Sequence, residues 1–435
     1  MALLDNRRHR LVMLCAMYVA QGIPWGFMTI ALISYLTDHG VGDADAGELT
    51  AVVLVPWTFK LIWGPVIDTI TFRSMGRRRV WIIGGEFMMA VSLLGIIALG
   101  DLTQNLRLLG WMFFIHNCFA SLQDVSTDAL AVDILPPEEQ GRTNGLMWGS
   151  KLVGKGAGGA TMAMAIDAWG LTGAVMLQFA ILLLIMLFPI LMLERKGEKR
   201  FPWSKGQAQG IQAGTSLRSL VHVLRDVRHG FSMITTSVYV VFGTISMIGW
   251  GIVEVVTKTL YTQQLGWTYV SISQVAGSAA FSEMAGALLG GYIADKFGRR
   301  KVMVIGLGGY GLLAVAFALC STLWHETWLT TGYLLLNPGI LAVGTVGYLS
   351  MSMRLSWTKA AATMFTVYLT VSNIGHVLGN WLVGPLREGL ALTYEQTFFF
   401  VGLAMALPLL ILLVVKPEDV DRAKRAAPPS LTTTT

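Results

Sequence analysis

The sequence predicts an all-α membrane protein with twelve transmembrane helices in two six-helix repeats. Three observations lead to this prediction. The chain is apolar, with 54% hydrophobic and 13% charged residues among 435, whereas a typical soluble protein has about 25% charged residues. Apolar runs long enough to cross a membrane recur from end to end. Similar motifs also return at an offset of 226 to 227 residues.

Each apolar segment is expected to cross the bilayer as a helix. About 20 residues cover roughly 30 Å of hydrocarbon, and backbone groups in lipid must be satisfied internally. The runs are continuous rather than alternating, which excludes a β-barrel. The predicted spans are residues 11–36, 46–68, 80–99, 108–134, 143–167, 171–193, 230–262, 269–295, 302–321, 327–353, 360–386 and 396–415.

The basic residues predict the orientation of these spans. If the N-terminus is inside, the inside segments hold 26 of the 32 lysines and arginines, the outer loops hold two, and four lysines lie within spans. Inside segments of membrane proteins are enriched in basic residues. We therefore expect a multi-pass protein of the inner (cytoplasmic) membrane with both termini in the cytoplasm. The net charge of +6 reflects this topology rather than nucleic-acid binding.

One long polar connection divides the chain into two halves. It is basic and contains a predicted amphipathic surface helix that starts at Ser216. The three cysteines lie in apolar segments, so neither disulfides nor a metal site is expected. The predicted units are an N-terminal bundle (1–193), a cytoplasmic linker (194–229), a C-terminal bundle (230–415) and a disordered cytoplasmic tail (416–435).

A glycine, aspartate and arginine motif follows the second span of each half. Aspartate at a helix end and arginines in a tight turn can pair with neighbouring helix ends in one transport state and separate in the other. Anchoring of the arginines at lipid headgroups is the alternative. Asp133 is expected to pair with Arg77 or Arg78. The predicted gating residues are Asp68, Arg77, Arg78, Asp133, Arg142, Asp295, Arg299 and Arg300.

The motif from Gly291 to Lys301 resembles the signature loop of the major facilitator superfamily, whose members contain a parallel six-helix repeat. A narrower resemblance rests on PWTFKLIWGPVID from Pro56, MGRRRVW from Met75 and QDVSTDA from Gln123, followed by DILP. These segments are similar to the peptide/acetyl-coenzyme A transporter family, which includes AmpG-type muropeptide permeases, acetyl-coenzyme A transporters and RhtX/FptX-type siderophore permeases. They lie within residues 20–160, and the second half matches the general superfamily pattern.

Five ionisable residues inside spans are candidates for proton coupling, because a charge within the membrane is energetically costly and usually marks a functional site. They are Lys60, Asp124, Asp128, Lys151 and Lys155. Counting 1.5 Å per residue places Asp128 near the depth of Lys151, and Asp124 near that of Lys155. Two readings remain open: a structural ladder of ion pairs, or a proton site at one aspartate with Lys60 or Lys151 as its counter-charge.

Other polar side chains within spans are candidates for a substrate cavity. A polar stripe on span eleven must face a cavity or another helix, and residues near the Gly-Ile-Pro break of span one can stack on or hydrogen-bond a sugar or peptide. Core packing is the alternative. Glu254 and Lys258 are expected to form an intrahelical ion pair. The predicted cavity residues are Gln21, Trp25, Gln123, Glu283, Asn373, His376 and Asn380.

Together these patterns predict a secondary active transporter, and not an enzyme, that imports a muropeptide or peptide-like solute with protons by alternating access. A siderophore permease and a carrier of an acetyl-coenzyme A-like anion are alternatives. A membrane-embedded transferase would need a large catalytic loop, and a sensor would need a soluble output domain. The expected partners are a small-molecule substrate, protons and the lipid bilayer, without nucleic acid or cofactor, and the expected state is a monomer.

Overall fold

A computed structural model describes residues 3–69, 72, 74–98, 105–135, 137–201, 204, 225, 227–356 and 361–426. Within these ranges the chain forms long helices joined by short turns. Seven helical stretches are long and apolar enough to cross a membrane. One of them, Gly145–Leu191, contains two passes, because the backbone reverses direction at Gly170, where φ is 70°.

The first half of the described chain contains six helical passes. They are α1 (Arg7–Asp38), α2 (43–69), α3 (Arg79–Ile97), α4 (Leu106–Ile134), α5 (137–169) and α6 (171–191). The first pass contains a π-helical stretch at Phe27–Leu32. The second consists of Asp43–Leu54, a 3-10 turn at Val55–Phe59 and Lys60–Thr69.

The second half of the described chain repeats this arrangement. Its passes are α7 (Ile234–Gln264), α8 (269–297), α9 (Arg299–Leu319), α10 (Thr327–Leu355), α11 (361–389) and α12 (Tyr394–Leu413). The seventh pass ends in a π-helical stretch, Leu260–Gln264, as the first pass contains one. The prediction of twelve spans in two six-helix repeats is confirmed, with ends that differ by several residues.

The described part of the chain ends in a short helix after the twelve passes. Residues Pro417–Ala426 form this helix, α13, where the sequence predicted a disordered tail, and residues 427–435 of that tail lie outside the described residues. Arg354 at the end of α10 forms an ion pair with Asp421 of this helix at 2.6 Å, which holds it against the second half. The predicted amphipathic helix from Ser216 lies almost entirely outside the described residues.

Proline causes the break in α2. Pro56 lacks a backbone N–H and cannot continue the helical hydrogen-bond ladder, so the chain tightens into the 3-10 turn Val55–Phe59. Trp57 of this turn and Lys60 just after it both face the space between the two halves.

Glycines bring the two halves into backbone contact. Gly156 of α5 and Gly277 of α8 face each other so closely that a methyl group on either would overlap the carbonyl of the other. On the opposite face of α5, Gly26 of α1 packs against the backbone of Lys155 in the same manner. Small residues allow such close approach of helices in membranes. Helix α5 is therefore held between α1 of its own half and α8 of the other half.

Candidate functional site

A cavity of about 500 Å³ lies between the two halves, within the usual range for small-molecule sites. Apolar and aromatic side chains form most of its wall. Its ionisable lining residues are four lysines, four carboxylic acids and one histidine: Lys60, Lys151, Lys155, Lys258, Asp124, Asp128, Glu254, Glu283 and His376. In the described part of the chain, no three His, Cys, Asp or Glu residues are grouped so as to hold a metal ion.

In the first half, Asp124 is held between two lysines. Its carboxylate pairs with Lys60 from α2 and with Lys151 from α5 at 3.1 Å. The ring of Trp57 lies 4.7 Å from the ammonium of Lys60 and 5.0 Å from that of Lys151, close enough for cation–π attraction to both. Asp124 is buried, and this double pairing neutralises its charge.

Asp128 has a different environment one turn further along α4. Its Oδ1 accepts a hydrogen bond of 2.5 Å from the hydroxyl of Tyr18, and its side chain is exposed in the cavity. The expected pairs Asp128–Lys151 and Asp124–Lys155 are not those observed. Asp124 contacts Lys151 instead of Lys155, a shift of four residues or about 6 Å along α5, because depths counted from uncertain helix ends carry an error of that size.

In the second half, Glu254 pairs with His376 rather than with Lys258. Its Oε2 lies 2.7 Å from Nε2 of His376, and the imidazole stacks in parallel on the ring of Trp250 at 3.7 Å between centroids. Lys258 donates to the backbone carbonyl of Glu254. The expected intrahelical ion pair is therefore wrong, because the Glu254 carboxylate turns toward α11.

One ion pair crosses between the halves inside the cavity. Lys155 of α5 and Glu283 of α8 approach to 3.2 Å, beside the contact of Gly156 with Gly277. The ammonium of Lys155 also lies 4.5 Å from the ring centroid of Trp25. The two halves therefore each contribute one residue to this ion pair.

Three of the predicted cavity residues lie elsewhere. Gln21 donates to Gln123 at 2.8 Å, and both are buried between α1 and α4. Asn380 is buried and donates to the carbonyl of His376 at 3.2 Å. None of these three lines the cavity, because their helix faces pack against neighbouring helices. The remaining predicted residues, Trp25, Glu283, Asn373 and His376, do line it.

The predicted gating residues are only partly described. Arg78 pairs with Asp133 through Nε and Oδ2 at 2.9 Å, which confirms the predicted contact, while its gating role stays a prediction. Arg300 donates to the carbonyl of Val415, and Arg77 and Arg299 are half-buried. The side chains of three further residues lie outside the described set: Asp68, Arg142 and Asp295.

A group of polar contacts joins the halves at the face where α1 ends and α2 begins, here called the loop side. Asp43 at the start of α2 accepts from Arg387 Nε at 2.9 Å, from Tyr394 at 3.4 Å and from the hydroxyl of Thr259. These four residues are called the loop-side clasp. The clasp closes the loop side of the cavity. The other face, where α1 begins, is called the terminus side.

The cavity extends toward the terminus side. Leu349, Phe365 and Trp148 line it near the terminus-side ends of α10, α11 and α5. Hydrogen bonds and ion pairs between described residues of the two halves lie at mid-depth, as with Lys155 and Glu283, or on the loop side. The structure is therefore closed on the loop side.

The sequence interpretation missed three tryptophans of the cavity wall, Trp57, Trp148 and Trp250. Tryptophan is common in apolar spans, so its presence alone carries no signal. The spacing of Trp57 three residues before Lys60 places the two on one helix face and is the available clue. Stacking of Trp250 on His376 joins different helices and leaves no local pattern.

Known proteins resemble this chain over most of its length. The model of the Major Facilitator Superfamily matches residues 14–380. The anhydromuropeptide permease of Escherichia coli (strain K12) is 26% identical over 431 residues, covering 92% of this chain and 78% of that protein. An uncharacterized protein of Haemophilus influenzae is 24% identical over 93% of this chain and 94% of its own length.

Solved structures show the same fold. The nucleoside transporter NupG superimposes with a TM-score of 0.70 at 14% identity, over 94% of this chain and 99% of that one. A POT family transporter in complex with a thioalcohol-conjugated peptide superimposes with a TM-score of 0.65 at 16% identity, over 94% and 96% of the two chains.

Proposed function

Because this chain belongs to the Major Facilitator Superfamily and is a multi-pass membrane transporter, we propose that it imports a muropeptide or similar peptide-bearing solute together with protons. The solute crosses the membrane unchanged. The cavity opens alternately to each side. With 26 basic residues in inside segments and two in outer loops, the positive-inside rule supports a cytoplasmic terminus side in the inner membrane.

The charge composition of the cavity is the observation that carries this proposal. Four lysines and four carboxylic acids line it, so it suits a solute that bears charges of both signs. Tryptophan rings beside these charges offer flat apolar surfaces for sugar or peptide groups. The similarity to a relative named anhydromuropeptide permease, over 92% of this chain, supports the same class of solute.

Asp128 is the proposed proton site. Asp124 pairs with the ammonium groups of Lys60 and Lys151. Protonation of Asp124 would deprive both lysines of this negative partner. Asp128 is exposed in the cavity and bonded to the neutral hydroxyl of Tyr18, so it can gain or lose a proton without breaking an ion pair. Lys60 and Lys151, which pair with Asp124 one turn before Asp128 on α4, supply positive charge near this carboxylate.

Carriage of an acetyl-coenzyme A-like anion is less well supported. The lysines alone would favour an anion, but two of them share the carboxylate of Asp124 and a third pairs with Glu283. A multiply charged phosphate would meet carboxylates on both halves of the cavity. The siderophore alternative has no specific observation in its favour.

Uptake of labelled anhydromuropeptide by cells that express the chain tests the proposal. We expect uptake that a protonophore abolishes and that Asp128→Asn strongly reduces. Asp45→Asn, an exposed residue on α2 outside the cavity, serves as the matched control and should retain uptake. Uptake that survives Asp128→Asn would reject Asp128 as the proton site. Absence of uptake with the protein confirmed in the membrane would reject the muropeptide class.

A further inference from the structure

Lys258 is a buried ammonium group without a carboxylate partner among the described residues. It lies on α7 with 7% of its surface exposed and lines the cavity. Its Nζ donates to the backbone carbonyl of Glu254. An ammonium group has three donors, so this bond leaves two of them for another acceptor.

The carboxylates of the cavity are already engaged elsewhere. Glu254 pairs with His376, and Glu283 pairs with Lys155. Asp124 pairs with two lysines of the first half, and Asp128 accepts from a tyrosine. A buried charge is costly unless it is paired. Glu254 supplies negative charge one turn away on α7, but its carboxylate bonds to His376 and not to the Lys258 ammonium. A carboxylate in direct contact with Lys258 can therefore come from a molecule in the cavity.

We propose that Lys258 binds a carboxylate of the transported solute. This inference rests on the proposed function and names one contact within it. Lys155 adds a second positive charge, although Glu283 shares it. The ring of Trp250, stacked on His376, gives the subsite an apolar wall, and Trp25 lies below Lys155.

The surroundings favour a carboxylate over a phosphate. Lys258 offers one ammonium group and no guanidinium, whose planar fork suits phosphate. The carboxylates of Glu254 and Glu283 line the same cavity and repel a second negative charge. A singly charged carboxylate, such as the end of a peptide, meets the requirement of Lys258 with the least repulsion.

Binding to the purified full-length chain tests this subsite. The probes are an anhydromuropeptide with a free terminal carboxylate and the same molecule as its terminal amide. We expect wild type to bind the acid at least about tenfold more tightly, as for a hydrogen bond to a charged group. Lys258→Gln should bring the ratio close to one through weaker binding of the acid. Lys258→Arg should retain a preference, and so should the control Lys301→Gln, an exposed lysine of α9.

Equal binding of acid and amide by wild type would overturn the subsite, as would binding of neither, or an unchanged ratio in Lys258→Gln. Acetyl-coenzyme A serves as the phosphate probe. If Lys258→Gln weakened its binding and left the acid-to-amide ratio unchanged, the subsite would be one for phosphate and the carboxylate assignment would fail.

Uptake measured beside binding separates this subsite from the proposed function. Preferential binding of the acid without protonophore-sensitive uptake would support the subsite and reject proton-coupled import. Proton-coupled uptake of acid and amide at equal rates would support import and reject the subsite.

Discussion

Removal of the charge of Asp43 should open the loop side of the protein. The loop-side clasp depends on this carboxylate, which accepts from Arg387, Thr259 and Tyr394. The side chains of Asp43 and Arg387 are 9% and 14% exposed, so solvent screens their attraction only weakly. Asp43→Asn keeps the size of the side chain and replaces charged acceptors by a neutral amide.

The size of the effect follows from these bonds. A hydrogen bond to a charged group contributes about 1.5–3 kcal/mol, against about 0.5–1.5 kcal/mol for a neutral one. The substitution should therefore weaken the clasp by about 1–2 kcal/mol, which multiplies the ratio of open to closed loop sides by about 5 to 30. Transport should become limited by closure of the loop side.

Distances between spin labels measure this shift. Asp38 and Leu390 are exposed on the loop side of the first and second halves, and cysteines placed there can carry labels once the native cysteines are replaced. Double electron–electron resonance should show a larger population of long distances between the two labels in Asp43→Asn than in the protein with native Asp43. Asp45→Asn removes a neighbouring exposed charge and should leave the distribution unchanged. A folded Asp43→Asn protein with the wild-type distribution would refute the role of the clasp.

Three further predictions concern the packing and the terminus side. Gly156→Leu should abolish uptake in a protein that still reaches the membrane, because its side chain overlaps the backbone of α8; undiminished uptake would contradict this. The contact of Asp133 with Arg78 is formed in this structure, whose cavity extends toward the terminus side. Asp133→Asn should weaken this contact, destabilise this state and lower labelling of a terminus-side cysteine, and unchanged labelling would argue against gating. Burial and nearby Glu194 raise the pKa of Glu198 to about 7. Between the ordinary pKa of 4.5 and about 7 the folded chain keeps a proton that the unfolded chain loses, so stability falls as pH rises through this range. Glu198→Gln should flatten the dependence of Tm on pH there, and an unchanged slope would exclude this.

The helical architecture was predictable because membrane insertion leaves a long and uniform signal. A span such as Arg79–Ile97 is apolar apart from Arg79, Glu86 and Ser92, so one run of sequence suffices to identify it. The presence of costly charges within spans also pointed correctly to the cavity, as with Lys60 and Asp128. Both inferences depend on the cost of polar groups in hydrocarbon, which acts on each residue separately.

The partners of these charges were not predictable in the same way. Lys155 pairs with Glu283 across the two halves, and no local spacing records how the halves meet. Asp124 gains Lys60 as a partner where Pro56 breaks α2 and changes the rotation of the residues that follow. To predict such pairs, the rotation of each helix and its depth in the membrane must be known to within one turn. Apolar runs in the sequence locate the helix ends only to within several residues.

The contact of Gly156 with Gly277 divides α5 into two segments of unequal length. From Gly156, 19 residues lead back to Pro137 and 13 lead forward to Trp169, which are segments of about 28 Å and 20 Å. A rotation of about 15° around this fulcrum would move the ends by about 7 Å and 5 Å. The same rotation therefore displaces the end of α5 further on the terminus side than on the loop side.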